Sequence, residues 1–157
     1  MKDKKEIAYV GLDASKATLA VSVADDGRDG EIRDWGTVST APVSVERLLK
    51  KLAARFKRVD VCYEAGPTGY GLYRQITAFG FGCSVVAPSL IPMRAGDRIK
   101  TDRRDAERLA RLLQAGELTP IWVPDETHEA MRDLVRARES AAEDQRHKRQ
   151  LVSAVLQ

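Results

Sequence analysis

Histidine and cysteine are scarce in this 157-residue chain, at two each. His128 and His147 have no Cys or His at ligand spacing, which removes the usual basis for a zinc site. Cys62 and Cys83 lie inside apolar, strand-like runs and read as buried free thiols. A disulfide is the alternative, but a cytoplasmic chain would not keep one. Long apolar runs are missing too, and none approaches the roughly 18 residues of a membrane span. The N-terminal "MKDKKEIAYVGLDASK" carries charge, yet Asp13 interrupts its apolar run too early for a secretory signal. We therefore expect a cytoplasmic chain with no membrane partner. A large excess of one charge is lacking as well. A net +3 allows a polyanionic partner without demanding one.

What is present suits one domain with a real core plus an appendage, since 43% of residues are hydrophobic and 31% charged. "EIAYVGLD" (6–13) is a mostly apolar run ending in an acid and reads as a buried strand. "KATLAVSVAD" (16–25) alternates as a strand with one face inward. "DDGRDG" is turn chemistry, and "EIRDWGTVST" (31–40) adds a third strand. Pro42 and Ser44 open a helix with Val45, Leu48, Leu49 and Leu52 on one side. "RVDVCYEA" (58–65) is a fourth strand, again ending in an acid. A Gly-rich turn, a helix stopping at Gly80, a fifth strand (82–88) and a helix from "IKTDRRDAERLARLL" (99–113) follow. Three antiparallel strands followed by crossovers give an α/β fold, a mixed five-stranded sheet with flanking helices. This is the element order of the ribonuclease H-like fold.

We place this domain at 1–118. Residues 119–157 would form a linker with Pro120 and Pro124, then about thirty residues without Gly or Pro that read as one long helix. Its apolar stripe is broken by Arg138, Gln145 and Lys148, so a clean coiled-coil seam is not present. A homo-oligomer through this helix is still expected, because a marginal lone helix with an apolar stripe seeks a partner. The chain ends in mid-helix without a cap, which reads as a truncated frame.

The last helix of the domain poses a problem. Wound at 100° per residue, Ala106, Leu109, Ala110, Leu112 and Leu113 share an arc roughly 160° wide. Asp102 and Asp105 fall inside that apolar arc, where an unpaired charge is expensive. Asp13 and Glu64 end the first and fourth strands, which are neighbours in this fold. Four converging carboxylates cannot all stay ionised without a counter-charge. A hard divalent cation supplies it, Mg²⁺ with Mn²⁺ as a substitute, and such ions promote displacement at phosphorus. Singly, three of the acids have a plainer reading, Asp102 as a helix N-cap and Asp13 and Glu64 as turn acids, whereas Asp105 is harder to explain as a cap.

"GLDASKATLAVSV", "YEAGPTGYG" and "KTDRRDAERLARLL" together resemble the N-terminal domain of DEDD transposases of the insertion sequence 110 type, related to the Piv invertases. The likeness covers nearly all of residues 6–114. It implies a RuvC-like, Holliday-junction-resolvase-like fold, with Asp13, Glu64, Asp102 and Asp105 as catalytic, metal-binding acids. It implies a magnesium-dependent DNA recombinase that cuts and transfers strands, with DNA and a structured guide RNA as partners. It also implies a second, C-terminal domain whose serine attacks the phosphate. Ser15, Ser89 and Ser153 do not match that serine, so this chain alone is not expected to complete strand exchange.

Around the acids, Lys16, Arg98, Lys100 and Arg103 are expected to contact nucleic-acid backbone. A solvated charged face is the plainer reading for Arg104, Arg108 and Arg111. Tyr70 and Tyr73 read as core packing rather than base stacking. Two rivals remain. "VGLDASKATLAVSV" also resembles the first phosphate loop of actin and hexokinase type ATPases, but their second loop and second domain do not fit in 157 residues. The other rival is a non-catalytic module that binds nucleic acid or assembles a partner.

Overall fold

The computed structural model describes residues 5–27, 31–66, 69–92 and 101–156. Two compact units divide after Trp122. The first contains five strands: β1 (Lys5–Ala14), β2 (Thr18–Asp25), β3 (Ile32–Ser39), β4 (Phe56–Glu64) and β5 (Gly82–Val86). Its helices are α1 (Pro42–Arg55), α2 (Gly71–Ala78) and α3 (Asp102–Ala115), with a 3₁₀ turn at Pro88–Leu90. The second unit contains α4 (Glu126–Val155).

The strands lie in the order β3-β2-β1-β4-β5. β1 pairs antiparallel with β2, and β2 with β3, so the first three strands form the expected meander. β4 pairs parallel with β1, and β5 parallel with β4, which requires the α1 and α2 crossovers. This is the mixed five-stranded sheet with flanking helices that the element order implies. β1 lies at the centre; Ala8, Val10 and Leu12 on one of its faces are essentially inaccessible, and on the other Gly11 is buried under α3 while Ile7 and Tyr9 are half-buried.

α1 and α3 cover opposite faces of the sheet. Asp34 of β3 pairs with Arg103 of α3 at 3.2 Å, while the next residue, Trp35, lies against Lys51 and Arg55 of α1. Gly11 of β1 faces α3, and its neighbours Val10 and Leu12, on the other face, are buried as well, so a second layer covers that side. α1 buries Val45, Leu48, Leu49 and Leu52, the stripe read from its periodicity. Pro42 sits in its first turn, where a missing N–H costs nothing.

Boundaries move where tertiary pairing overrides local pattern. β4 starts at Phe56 rather than 58, because Phe56 is buried and pairs with Lys5 directly after α1 ends. Part of the presumed linker adds to the first unit instead. Pro120 bridges Val86, and the Ile121 amide donates to the Val85 carbonyl at 2.8 Å. α4 is one uninterrupted helix capped by Asp125, which accepts from the His128 amide at 2.8 Å. None of its residues is buried.

The two cysteines are free, as their apolar surroundings imply. Cys83 pairs in register with Val61, the neighbour of Cys62, so the two thiols sit on adjacent strands but opposite faces. Burial pushes the Cys62 thiol far above its ordinary range, with a smaller contribution from Cys83. Burial also pushes Cys83 up to about 12.

Candidate active site

The site is built on the C-terminal ends of β1 and β4. Gly11 pairs with Cys62 and Leu12 with Tyr63, so Asp13 and Glu64 each lie one residue beyond that last pair. Residues in step on parallel neighbours share a face. Which face follows from Gly11 and Cys62, two residues before the acids. A methyl group on Gly11 would meet the Ala106 carbonyl oxygen at 2.2 Å and the Ala110 nitrogen at 2.5 Å. The Cys62 thiol donates to the Leu109 carbonyl at 3.5 Å. Asp13 and Glu64 therefore belong to the α3 face.

α3 runs antiparallel to β1. Near its C-terminus, the Gln114 side-chain amide donates to the Asp25 and Gly27 carbonyls at 2.6 and 2.8 Å. Asp25 is the register partner of Ala8, near the start of β1. The middle of α3 lies over Gly11, so its first turn comes to the end of β1 where Asp13 stands. Asp102 and Asp105 occupy that turn. The four acids thus come to one end of the sheet, with Asp13 and Glu64 on the face that α3 covers.

The wheel that put both aspartates in the inward arc is half right. Asp105 is partly buried, but Asp102 is exposed. Ala106, Leu109, Ala110 and Leu112 are the buried residues of α3. Asp102, one turn before Ala106, has passed the part of the helix that the sheet covers. Nor is Asp102 the cap. Thr101 is the N-cap, and its hydroxyl accepts from the Arg104 amide at 3.3 Å.

Asp13, Glu64 and Asp105 are partly exposed. A cluster of hard carboxylate oxygens suits a divalent cation of the Mg²⁺ type by donor chemistry. Among the described residues, no three His, Cys, Asp or Glu side chains are grouped as a metal would require.

Lys16, in the β1–β2 turn, is exposed at the same end of the sheet. It lines a cleft of about 740 Å³ with Ala14, Leu19, Thr40, Gly71 and Gln75. Arg103 turns toward protein: its guanidinium bonds Glu107 at 3.1 Å and Asp34 at 3.2 Å. The Glu107 hydrogen bond and then the Asp34 charge raise its pKa further. A phosphate must compete with both acids for it. Arg98 and Lys100 lie outside the described residues.

Sequence reasoning missed Gly11, which lets the α3 backbone lie directly on β1. The available signal was a glycine inside an otherwise apolar strand, a mark of close backbone approach. It also missed Gln114, whose role as a clamp on a distant turn leaves no local pattern.

The sheet order and its parallel crossovers define a mixed α/β domain with acids at the ends of two neighbouring strands. Residues 10–157 match the family of DEDD transposases of the IS110 type, described as "Transposase", and the chain belongs to that family. It is similar to "Putative transposase y4qE" of Sinorhizobium fredii (strain NBRC 101917 / NGR234), 59% identical over 149 residues, which are 95% of this chain and 38% of the relative. It is 37% identical to the transposase for insertion sequence element IS1533 of Leptospira borgpetersenii, over 97% of this chain and 44% of the relative. The chain thus spans less than half the length of these curated relatives. Solved structures similar to it include Thermus thermophilus RuvC, with a TM-score of 0.48 at 13% identity, covering 73% of this chain and 99% of that one. RuvC in complex with Holliday junction substrate has a TM-score of 0.45 at 15% identity, covering 73% and 98%. Among the described residues, no helix is long and apolar enough to cross a membrane.

Proposed function

We propose that residues 1–118 are the acidic catalytic half of a DNA recombinase, with Asp13, Glu64, Asp102 and Asp105 as its metal-binding carboxylates. One observation carries the proposal: Asp13 and Glu64 end adjacent parallel strands on the face that α3 covers, and α3 runs so that its first turn meets them. A bound Mg²⁺ or Mn²⁺ would supply charge neutralisation and activation of the attacking oxygen at a phosphodiester. The acids' part is to hold that charge. Gly11 and Thr101 position the turn that carries two of them. Lys16, with Arg98, Lys100 and Arg103, would hold the strand by its phosphates.

The attacking group is proposed to be a serine of a further domain, as the family resemblance implies, so the 157-residue chain alone does not complete strand exchange. A structured guide RNA is proposed on the same resemblance. α4 is proposed to pair with a second copy. Its exposed apolar residues gather toward its two ends, Met131, Leu134 and Val135 in one group and Leu151, Val152 and Val155 in the other.

Thermal melts in Mg²⁺, Mn²⁺ and EDTA test the carboxylate assignment. Binding to the folded state alone adds about 2.7 kcal/mol at a hundredfold excess over Kd. The parent chain should melt higher with either ion. Glu64→Gln and Asp105→Asn should lose that rise while their EDTA melts stay equal to the parent's or higher, because each removes a like charge. Variants that keep the full metal-dependent rise would place the site elsewhere. The second reading, a non-catalytic nucleic-acid-binding module, is favoured by the lack of a three-acid group among the described residues. It predicts no metal-dependent rise in the parent.

A further inference from the structure

The outer face of α1 carries three cations in a row, Arg47, Lys51 and Arg55, spaced i, i+4, i+8 and all exposed. At 1.5 Å per residue they span about 12 Å along the helix. Neighbouring cations are matched by acids: Lys50 with Glu46 at 2.6 Å, Arg58 with Asp60 at 2.9 Å, and Lys57 with Glu6. The row has no acid partner among the described residues. Like charges at i, i+4 destabilise a helix, so the arrangement works against the fold. The helix dipole favours Arg55 in the last turn but leaves Arg47, in the middle, unexplained.

Trp35 fixes two of the three. Lys51 Nζ lies 5.1 Å from its ring centroid and the Arg55 guanidinium carbon 5.2 Å. Trp35 is the unmatched residue where the β2–β3 register shifts, since Val21 pairs with Gly36 and Ser22 with Asp34. A bulge commonly re-aims a side chain, and here the ring sits under the basic row. With two cations on its ring, Trp35 is a poor stacking platform for a base, so the surface is suited to backbone rather than to base edges. It lies across the sheet from α3 and the four acids.

We propose that Arg47, Lys51 and Arg55 form a second nucleic-acid surface that grips the phosphate backbone of duplex DNA away from the carboxylate set. The proposal rests on the reading of this chain as a DNA-acting domain, but not on the acids or a metal. Charge complementarity decides the occupant: an unneutralised straight row fits a regularly spaced line of phosphates. Contacts here hold DNA without delivering it to the acids.

Anisotropy of a labelled duplex of about 30 base pairs, titrated with the full chain in EDTA between about 50 and 200 mM salt, tests this. Each phosphate contact contributes about 0.9 to the slope of log K against log salt. Arg47→Gln, which touches neither Trp35 nor the core, should lower the slope by about 1. The triple variant Arg47→Gln, Lys51→Gln, Arg55→Gln should lower it by about 3. Lys50→Gln, one residue off the row and already paired, is the charge-matched control and should change it little. An unchanged slope in Arg47→Gln, an equal loss in Lys50→Gln, or no measurable duplex binding by the parent overturns the proposal. A matched RNA duplex that binds more tightly than DNA and shows the slope loss instead overturns the DNA assignment. The titration is run in EDTA, where the carboxylate reading predicts no change, and that reading is decided by the metal-dependent melt, so failure of the one and failure of the other are separate results.

Discussion

Gly11→Ala would put a methyl group 2.2 Å from the Ala106 carbonyl oxygen and 2.5 Å from the Ala110 nitrogen. Both are backbone atoms of α3, so no side chain can swing aside. The helix must retreat by about 1 Å to restore ordinary contact. Overpacking of this kind costs about 1–3 kcal/mol, and backbone on both sides argues for the upper end. For a chain of this size that is a fall in melting temperature of roughly 6–12 °C. Gly116→Ala separates crowding from glycine chemistry. Gly116 has a left-handed φ of 70° and nothing within 4 Å of a built methyl group, so its substitution costs only about 1–2 kcal/mol of backbone strain. The site should register the difference. A retreat of α3 carries Asp102 and Asp105 away from Asp13 and Glu64, so Gly11→Ala should lose the metal-dependent rise in melting temperature, whereas Gly116→Ala should keep it. Differential scanning calorimetry with and without Mg²⁺ measures both quantities. A Gly11→Ala chain that melts within about 1 °C of the parent and keeps the metal response would refute the claim that α3 is seated through this glycine.

Three further outcomes are expected. Ser22→Ala should be neutral or stabilising by up to about 2 kcal/mol, because the Ser22 hydroxyl is fully buried with no hydrogen-bond partner among the described residues; a clear loss in urea unfolding would show that it has one. Asp125 has a lowered pKa, from the His128 backbone hydrogen bond first and its side-chain hydrogen bond second. A depressed acid stabilises above its unfolded value and stops doing so as pH falls through the folded one. The α4 start should therefore fray below about pH 4, seen by circular dichroism as a step in helicity that Asp125→Ala lacks; the same step in that variant would contradict the assignment. Light scattering should find a dimer at high concentration that weakens with Leu134→Lys or Val152→Lys, and a clean monomer at every concentration would sink the pairing of α4.

The sequence by itself determined the elements and their kinds. Alternation in "KATLAVSVAD" and the stripe Val45, Leu48, Leu49, Leu52 are local patterns with the periods of strand and helix, and both elements form where they fall, although β2 is buried on both faces rather than on one because helices cover both sides of the sheet. The order of elements was enough for the sheet, because a meander followed by crossovers has few ways to close. The motif acids were legible as residues, and they stand near the ends of β1 and β4 and in the first turn of α3, as expected of them. Only the tertiary structure decided what those positions do. Register put Asp13 and Glu64 in step on one face, and the antiparallel run of α3, held at Gly11, Cys62 and Gln114, brought Asp102 and Asp105 to the same end. It also left Asp102 exposed, gave the cap to Thr101, and sent Cys62 and Cys83 to opposite faces. The basic row over Trp35 was equally hidden, since it joins a bulged strand residue to Lys51, sixteen residues on in α1. Periodicity reports which way a side chain points within its own element. Where one element stops against another depends on contacts between residues far apart in the chain, and no local period records them.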